Sequence, residues 1–133
     1  MRYQQKDFSE ALLETIRSTE RALKDHIEHL LLKYKPAFVE KNVNFAAGFD
    51  QVGSDPFEPI YSSSVSIGIA EGNKELDDLL LIKIWECERS FLGIPTSKKI
   101  LGSKIIGELL DETIEDVKDE LEVYIKDILI FGA

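Results

Sequence analysis

Between Ser9 and Lys35, apolar side chains fall at Leu13, Ile16, Leu23, Ile27, Leu30 and Tyr34, at alternating spacings of three and four, and only Glu20 interrupts the series. That spacing lays one apolar stripe along a helix of several turns. Ser9 offers an N-cap hydroxyl. Pro36, with no amide and a ring that disfavours helical geometry at Lys35, marks the expected end. Glu20–Lys24, Arg21–Asp25 and Lys24–Glu28 pair opposite charges four residues apart on the outer face.

The period then shortens to two. Val43, Phe45, Ala47 and Phe49 alternate with smaller or polar residues, as do Val65, Ile67 and Ile69 with Ser64, Ser66 and Gly68. Each run predicts a strand with one buried face. A third run, 78–88, carries Leu80, Ile82 and Ile84 on one side and Leu79, Leu81, Trp85 and Cys87 on the other. Apolar residues on both faces predict the most buried strand, at the centre of the sheet. The link at 71–78 is long for a tight hairpin and has room for a short helical turn. Gly93 and Pro95 break the segment 90–103, where SKKIL reads as a short fourth strand or as an approach to the next helix. Leu110, Ile114, Val117, Leu121, Tyr124 and Ile128 return to helical spacing, and predict a second helix over roughly 105–130. Gly107 weakens its start, because glycine costs a helix about 1 kcal/mol against alanine.

These elements predict one α+β domain over 1–133, a two-layer sandwich. A long N-terminal helix, an antiparallel meander of three or four strands and a long C-terminal helix follow in order, with both helices on one face.

Composition narrows the function classes. The 133 residues suffice for one core, and 44% hydrophobic with 31% charged residues is a globular balance. One cysteine makes no internal disulfide, no secretory signal is visible, and no apolar run is long enough to cross a bilayer. A cytoplasmic protein is the expectation. The net charge is −9, and residues 103–133 carry three lysines against nine carboxylates. Such a field disfavours nucleic acid and anionic membrane as partners.

The loop AAGFDQVGSDPFEP holds Asp50, Asp55 and Glu58, which lack the alternating spacing of a calcium loop; its Gly53, Asp55 and Pro56 are turn residues. His26 and His29 are neighbours on the first helix, but two ligands make a weak metal site and no third is identifiable. Neither metal nor cofactor is expected. Cys87 reads as a buried thiol, and no nucleophile elbow or phosphate-binding glycine pattern occurs, so catalysis is the minority reading.

The second helix is more informative. Glu108, Glu112, Glu115, Asp119 and Glu122 gather opposite its apolar stripe, among like charges four residues apart. The leading expectation is a small binding module that docks a basic protein partner on this acidic face, in the manner of an immunity protein or antitoxin. One alternative is a small-molecule binder or enzyme, with a pocket between sheet and helices lined by Tyr61, Trp85, Tyr124 and His26. Another is a structural homodimer formed through the first helix.

Overall fold

The computed structural model describes residues 1–71 and 78–131. Its elements are β1 (Arg2–Gln4), a 3₁₀ turn (Gln5–Asp7), α1 (Glu10–Glu40), β2 (Val43–Val52), β3 (Ser62–Glu71), β4 (Asp78–Phe91), β5 (Ile94–Pro95), β6 (Lys104–Leu109) and α2 (Ile114–Phe131). The fold is α+β. The strands form one antiparallel sheet ordered β1-β6-β4-β3-β2, with β5 paired to β4. The meander is therefore present, with more strands than the three or four expected. The additional ones are short and polar or broken by Pro95, and leave little periodicity to detect. The helical turn expected at 71–78 falls, for 72–77, outside the described residues.

α1 starts where its cap predicts: the Ser9 hydroxyl accepts the Leu12 amide at 3.1 Å, and the Ser9 carbonyl accepts the Leu13 amide at 2.9 Å. Ile16, Leu23, Ile27 and Leu30 are fully buried. Burying each such side chain stabilises the fold by about 1.5–3 kcal/mol. The stripe that could have been a seam between chains is thus consumed by this chain's own core.

Pro36 does not end α1, contrary to expectation. The missing donor would have served the carbonyl of Leu32, which lies on the exposed face where water can take its place. Beyond the proline, burial resumes at Phe38, stacked on Phe45 with ring centroids 4.6 Å apart. The chain leaves the helix through Asn42 at φ 58°, a left-handed position that asparagine tolerates.

Contacts divide the chain into two compact units. One comprises Met1–Glu20, Asp50–Ser64 and Lys83–Asp111; the other comprises Arg21–Phe49, Val65–Ile82 and the chain from Glu112 onward. The first is built around Trp85. Its indole N–H donates to the Pro56 carbonyl at 2.6 Å, while Phe8 and Phe57, stacked at 4.6 Å, meet its ring edge-on. In the second, α1 and α2 run side by side in the same direction: Lys33 and Tyr34 meet Glu122, and one turn or two further on Lys41 meets the Leu129 carbonyl.

β4 departs from the expectation of burial on both faces. Ile82 and Ile84 are buried on one side and Trp85 and Cys87 on the other, but Leu79 and Leu81 are 64% and 50% exposed. The aromatic cover begins at Trp85 and does not extend to Leu81.

The second helix is shorter than predicted. Residues 104–109 are a strand that pairs β1 on one side and β4 on the other. Gly107, read as a weak helix start, is the strand position over which the Trp85 ring lies: a Cβ there would come closer than 3.0 Å to three ring carbons. α2 begins after Thr113, whose hydroxyl accepts the Asp116 amide at 3.1 Å. Its buried stripe is Val117, Leu121 and Ile125, so Tyr124 and Ile128 lie at the margin of the face predicted to include them.

Candidate functional site

The five carboxylates expected on one helical face are placed in three settings. Glu108 lies on β6, opposite Arg2 of β1 and Glu86 of β4, and is not helical. Glu112 precedes α2. Glu115 and Asp119 are exposed on α2, as expected, joined there by Asp116 and Glu120. Glu122 is already engaged by the Lys33 ammonium at 3.0 Å and the Tyr34 hydroxyl at 2.9 Å. The Lys33 bond, followed by that of Tyr34, holds its carboxyl below the usual range.

What stays together is a group of exposed carboxylates at the start of α2. Glu115 meets Lys118 at 3.8 Å. Glu112 is held above the usual carboxylate range, first by a hydrogen bond with Glu120, then by desolvation and by the charges of Glu120 and Asp116. A carboxyl raised by its neighbours marks repulsion among like charges. Asp116 and Glu115 also sit where the helix dipole favours anions, which offsets part of that repulsion.

The residues named for a pocket are packing residues, or belong to the other unit. Tyr61 and Trp85 are buried in the first unit, each with its polar tip bonded. Tyr124 and His26 belong to the second unit. Burial lowers the His26 pKa, with Lys118 adding to the effect. Cys87 is buried, and its thiol is pushed up to about 11 by burial and then by Glu58, Asp55 and Glu88. A thiol so placed is a poor nucleophile at neutral pH.

The periodicity of α1 left a signal that sequence reading passed over. Glu20, the interruption in the apolar stripe, is 6% exposed and accepts the Tyr61 hydroxyl at 2.6 Å. Tyr61 is raised, first by burial and then by this bond. Its backbone is held as well, since the Cys87 amide donates to the Tyr61 carbonyl and the Ile60 amide to the Cys87 carbonyl, both at 2.9 Å.

That anchoring leaves Ile60 at φ 82° and 75% exposed. A β-branched residue in the left-handed region costs about 1–3 kcal/mol. Ile60→Gly is expected to raise the urea midpoint by the equivalent of about 1 kcal/mol, because glycine relieves the strain but frees the unfolded chain. An unchanged or lower midpoint would show that the flanking bonds already absorb the strain. Segments 59–62, 86–89 and 95–97 line a cleft of about 360 Å³ beside this residue.

The loop through Gly53, Asp55 and Pro56 is a turn. The Asp55 carboxylate accepts the Phe57 amide at 3.0 Å and its carbonyl accepts Glu58 at the same distance, while Gly53 takes φ 86° against the Tyr61 ring. Compared with protein-family models, curated proteins and solved structures, the chain matches none.

Proposed function

We propose that this protein is a binding module that docks a basic protein partner on the carboxylate-rich start of α2, at Glu112, Glu115, Asp116, Asp119 and Glu120. The observation that carries the reading is the exposed cluster of five carboxylates at and just before the first turns of α2, where Glu112 is held above the usual carboxylate range by Glu120 and Asp116. A lysine or arginine from a partner would relieve the repulsion among these carboxylates. The net charge of −9 would also steer a basic protein toward the encounter. Glu108 and Glu122 are left out of this surface: the first is on a strand and the second is paired within the chain. Neutralising a basic enzyme or toxin, as immunity proteins and antitoxins do, needs surface complementarity and no chemistry of its own. That comparison is an analogy of size and charge.

The test uses the full chain as bait at low and high salt, beside the variant carrying Glu112→Lys, Glu115→Lys and Asp119→Lys. A basic protein should be retained at low salt, released at high salt, and bound by the variant about tenfold more weakly or worse. The variant should melt no lower than the parent, because like charges have been removed. Equal binding by both proteins would take the contact away from α2. Retention of nothing at either salt would remove the proposed function altogether.

A further inference from the structure

Within the first unit, the strands β4 and β6 meet at two adjacent turns. β4 returns into β5 through Leu92 and Gly93, both at positive φ, 53° and 80°. Two-residue turns of this kind favour asparagine, aspartate or glycine, yet a leucine stands first, in the left-handed region and 85% exposed. In the second turn the Ser103 amide donates to the Ile100 carbonyl at 2.9 Å, with Gly102 at φ 87° and Leu101 98% exposed. The two tips are neighbours. Ser90 pairs with Lys104, Arg89 donates to the Ser103 hydroxyl at 3.0 Å, and Leu92, Gly93, Gly102 and Lys104 line one cleft. A leucine that strains the backbone and covers no core does not serve the fold, and points to a role at the surface. The charge is reversed here as well. From Arg89 to Gly107 the chain carries Arg89, Lys98, Lys99 and Lys104 and no carboxylate, in a protein of net charge −9. The three lysines are exposed, and among the described residues none makes an ion pair.

We propose that these two tips dock the protein on an anionic membrane surface. Leu92 and Leu101 enter the headgroup boundary, while Lys98 and Lys99, which lead into the second turn, and Lys104, which leaves it, meet anionic headgroups. Apolar insertion and a basic cluster are each weak alone and hold a protein on a bilayer together. That pairing selects the occupant. Nucleic-acid phosphates, or the acidic start of α2 in a second copy, would meet the lysines but give Leu92 and Leu101 no apolar partner. Several carboxylates of this unit are set back from the tips. Glu88 and Glu108 stand four residues from Leu92 and Lys104 along their strands, about 13 Å at the rise of a strand, and Asp55 and Glu58 act on Cys87, one residue further back on β4. The 3₁₀ turn that contacts β6 adds Lys6 and Asp7, which cancel. Exposed charges are largely screened beyond about 8 Å in physiological salt, so at contact the local cations outweigh the net charge of the chain. The docking does not rest on the acidic surface of α2, and its failure would leave that reading untouched.

The test is flotation of the full chain with vesicles of phosphatidylcholine alone and of phosphatidylcholine with about a third phosphatidylserine. The parent should float with the anionic vesicles and not with the neutral ones. Lys98→Gln with Lys99→Gln should weaken that binding about 25-fold, about fivefold for each lysine. Leu92→Asn with Leu101→Asn should weaken it about tenfold or more, yet melt no lower than the parent, because asparagine suits the left-handed turn position. A polarity-sensitive fluorophore on Leu101→Cys should shift to the blue on anionic vesicles; Cys87 is buried and takes little label. A parent that fails to float, or floats equally with neutral vesicles, would overturn the proposal. Binding that falls with the lysines but not with the leucines would overturn it in favour of a soluble polyanion. Self-association without lipid, lost in the lysine variant, would instead give the tips to the acidic face of a second copy.

Discussion

Gly107→Ala should destabilise the protein by about 3 kcal/mol or more, read as a fall in the denaturant midpoint with an unchanged slope. The added methyl would lie inside the Trp85 ring, closer than 3.0 Å to Cη2, Cζ2 and Cζ3. Neither side can yield cheaply. Gly107 is a central residue of β6, in register between Tyr3 of β1 and Cys87 of β4. Trp85 has no exposed surface, its indole is bonded to Pro56, and Tyr3, Phe8 and Phe57 surround the ring. A smaller side chain at 85 should restore room for the methyl. Trp85→Leu alone loses a large buried ring, but combined with Gly107→Ala it should cost less than the two single losses added. Strict additivity in that double-mutant cycle would mean that the ring and the glycine do not compete for one space.

Tyr61→Phe is the second large effect, a loss of about 2–3 kcal/mol at neutral pH. The change removes one oxygen and leaves the buried Glu20 carboxyl without the hydroxyl that it accepts at 2.6 Å. Replacing both partners, Glu20→Leu with Tyr61→Phe, should recover most of the loss, because no polar group is then stranded. The pH dependence has a definite sign. The folded tyrosine holds its proton more tightly than a free one, whose value is 10.0. Its contribution is therefore complete below that value and is lost as pH rises through and beyond it, when the unfolded chain ionises and the folded one resists. Cys87, raised from 9.0 to about 11, adds stability of the same sign, lost from about one unit lower. The parent should lose stability steadily above pH 9–10, and Tyr61→Phe should flatten the upper part of that slope. An alkaline slope equally steep in the variant would assign the loss to other groups.

Sequence reading reached α1, β2 and β3 because burial there follows a simple period. Ile16, Leu23, Ile27 and Leu30 lie on one helical line, and Val65, Ile67 and Ile69 on one side of a strand. It failed at 104–113, where KIIGELLDET supports either period over so short a run. The start of α2 was nonetheless written there: Thr113 followed three residues later by an acid is a capping signature, and the Thr113 hydroxyl does take the Asp116 amide. β1 has three residues and owes its place to β6, a partner that local pattern cannot reveal. The same limit hid the Glu20–Tyr61 bond. A glutamate inside an apolar stripe announces that some donor must come to it, but only the folded chain says which one. The acidic surface was half legible: Glu115 and Asp119 follow from helical spacing, while Glu108 and Glu122 depended on a boundary and a neighbour.

β1 also sets a clock. Arg2, Tyr3 and Gln4 find their partners at Glu108, Gly107 and Ile106, far along the sequence. On a ribosome adding about 5–20 residues each second, β1 must wait several seconds for β6. In that interval Tyr3 and Phe8 have no Trp85–Gly107 surface to settle on, and the edge of β4 later covered by β6 is open along its whole length. Rare codons placed after the β4 sequence would lengthen this exposure, and expression yield should respond to them more than to codons upstream of it.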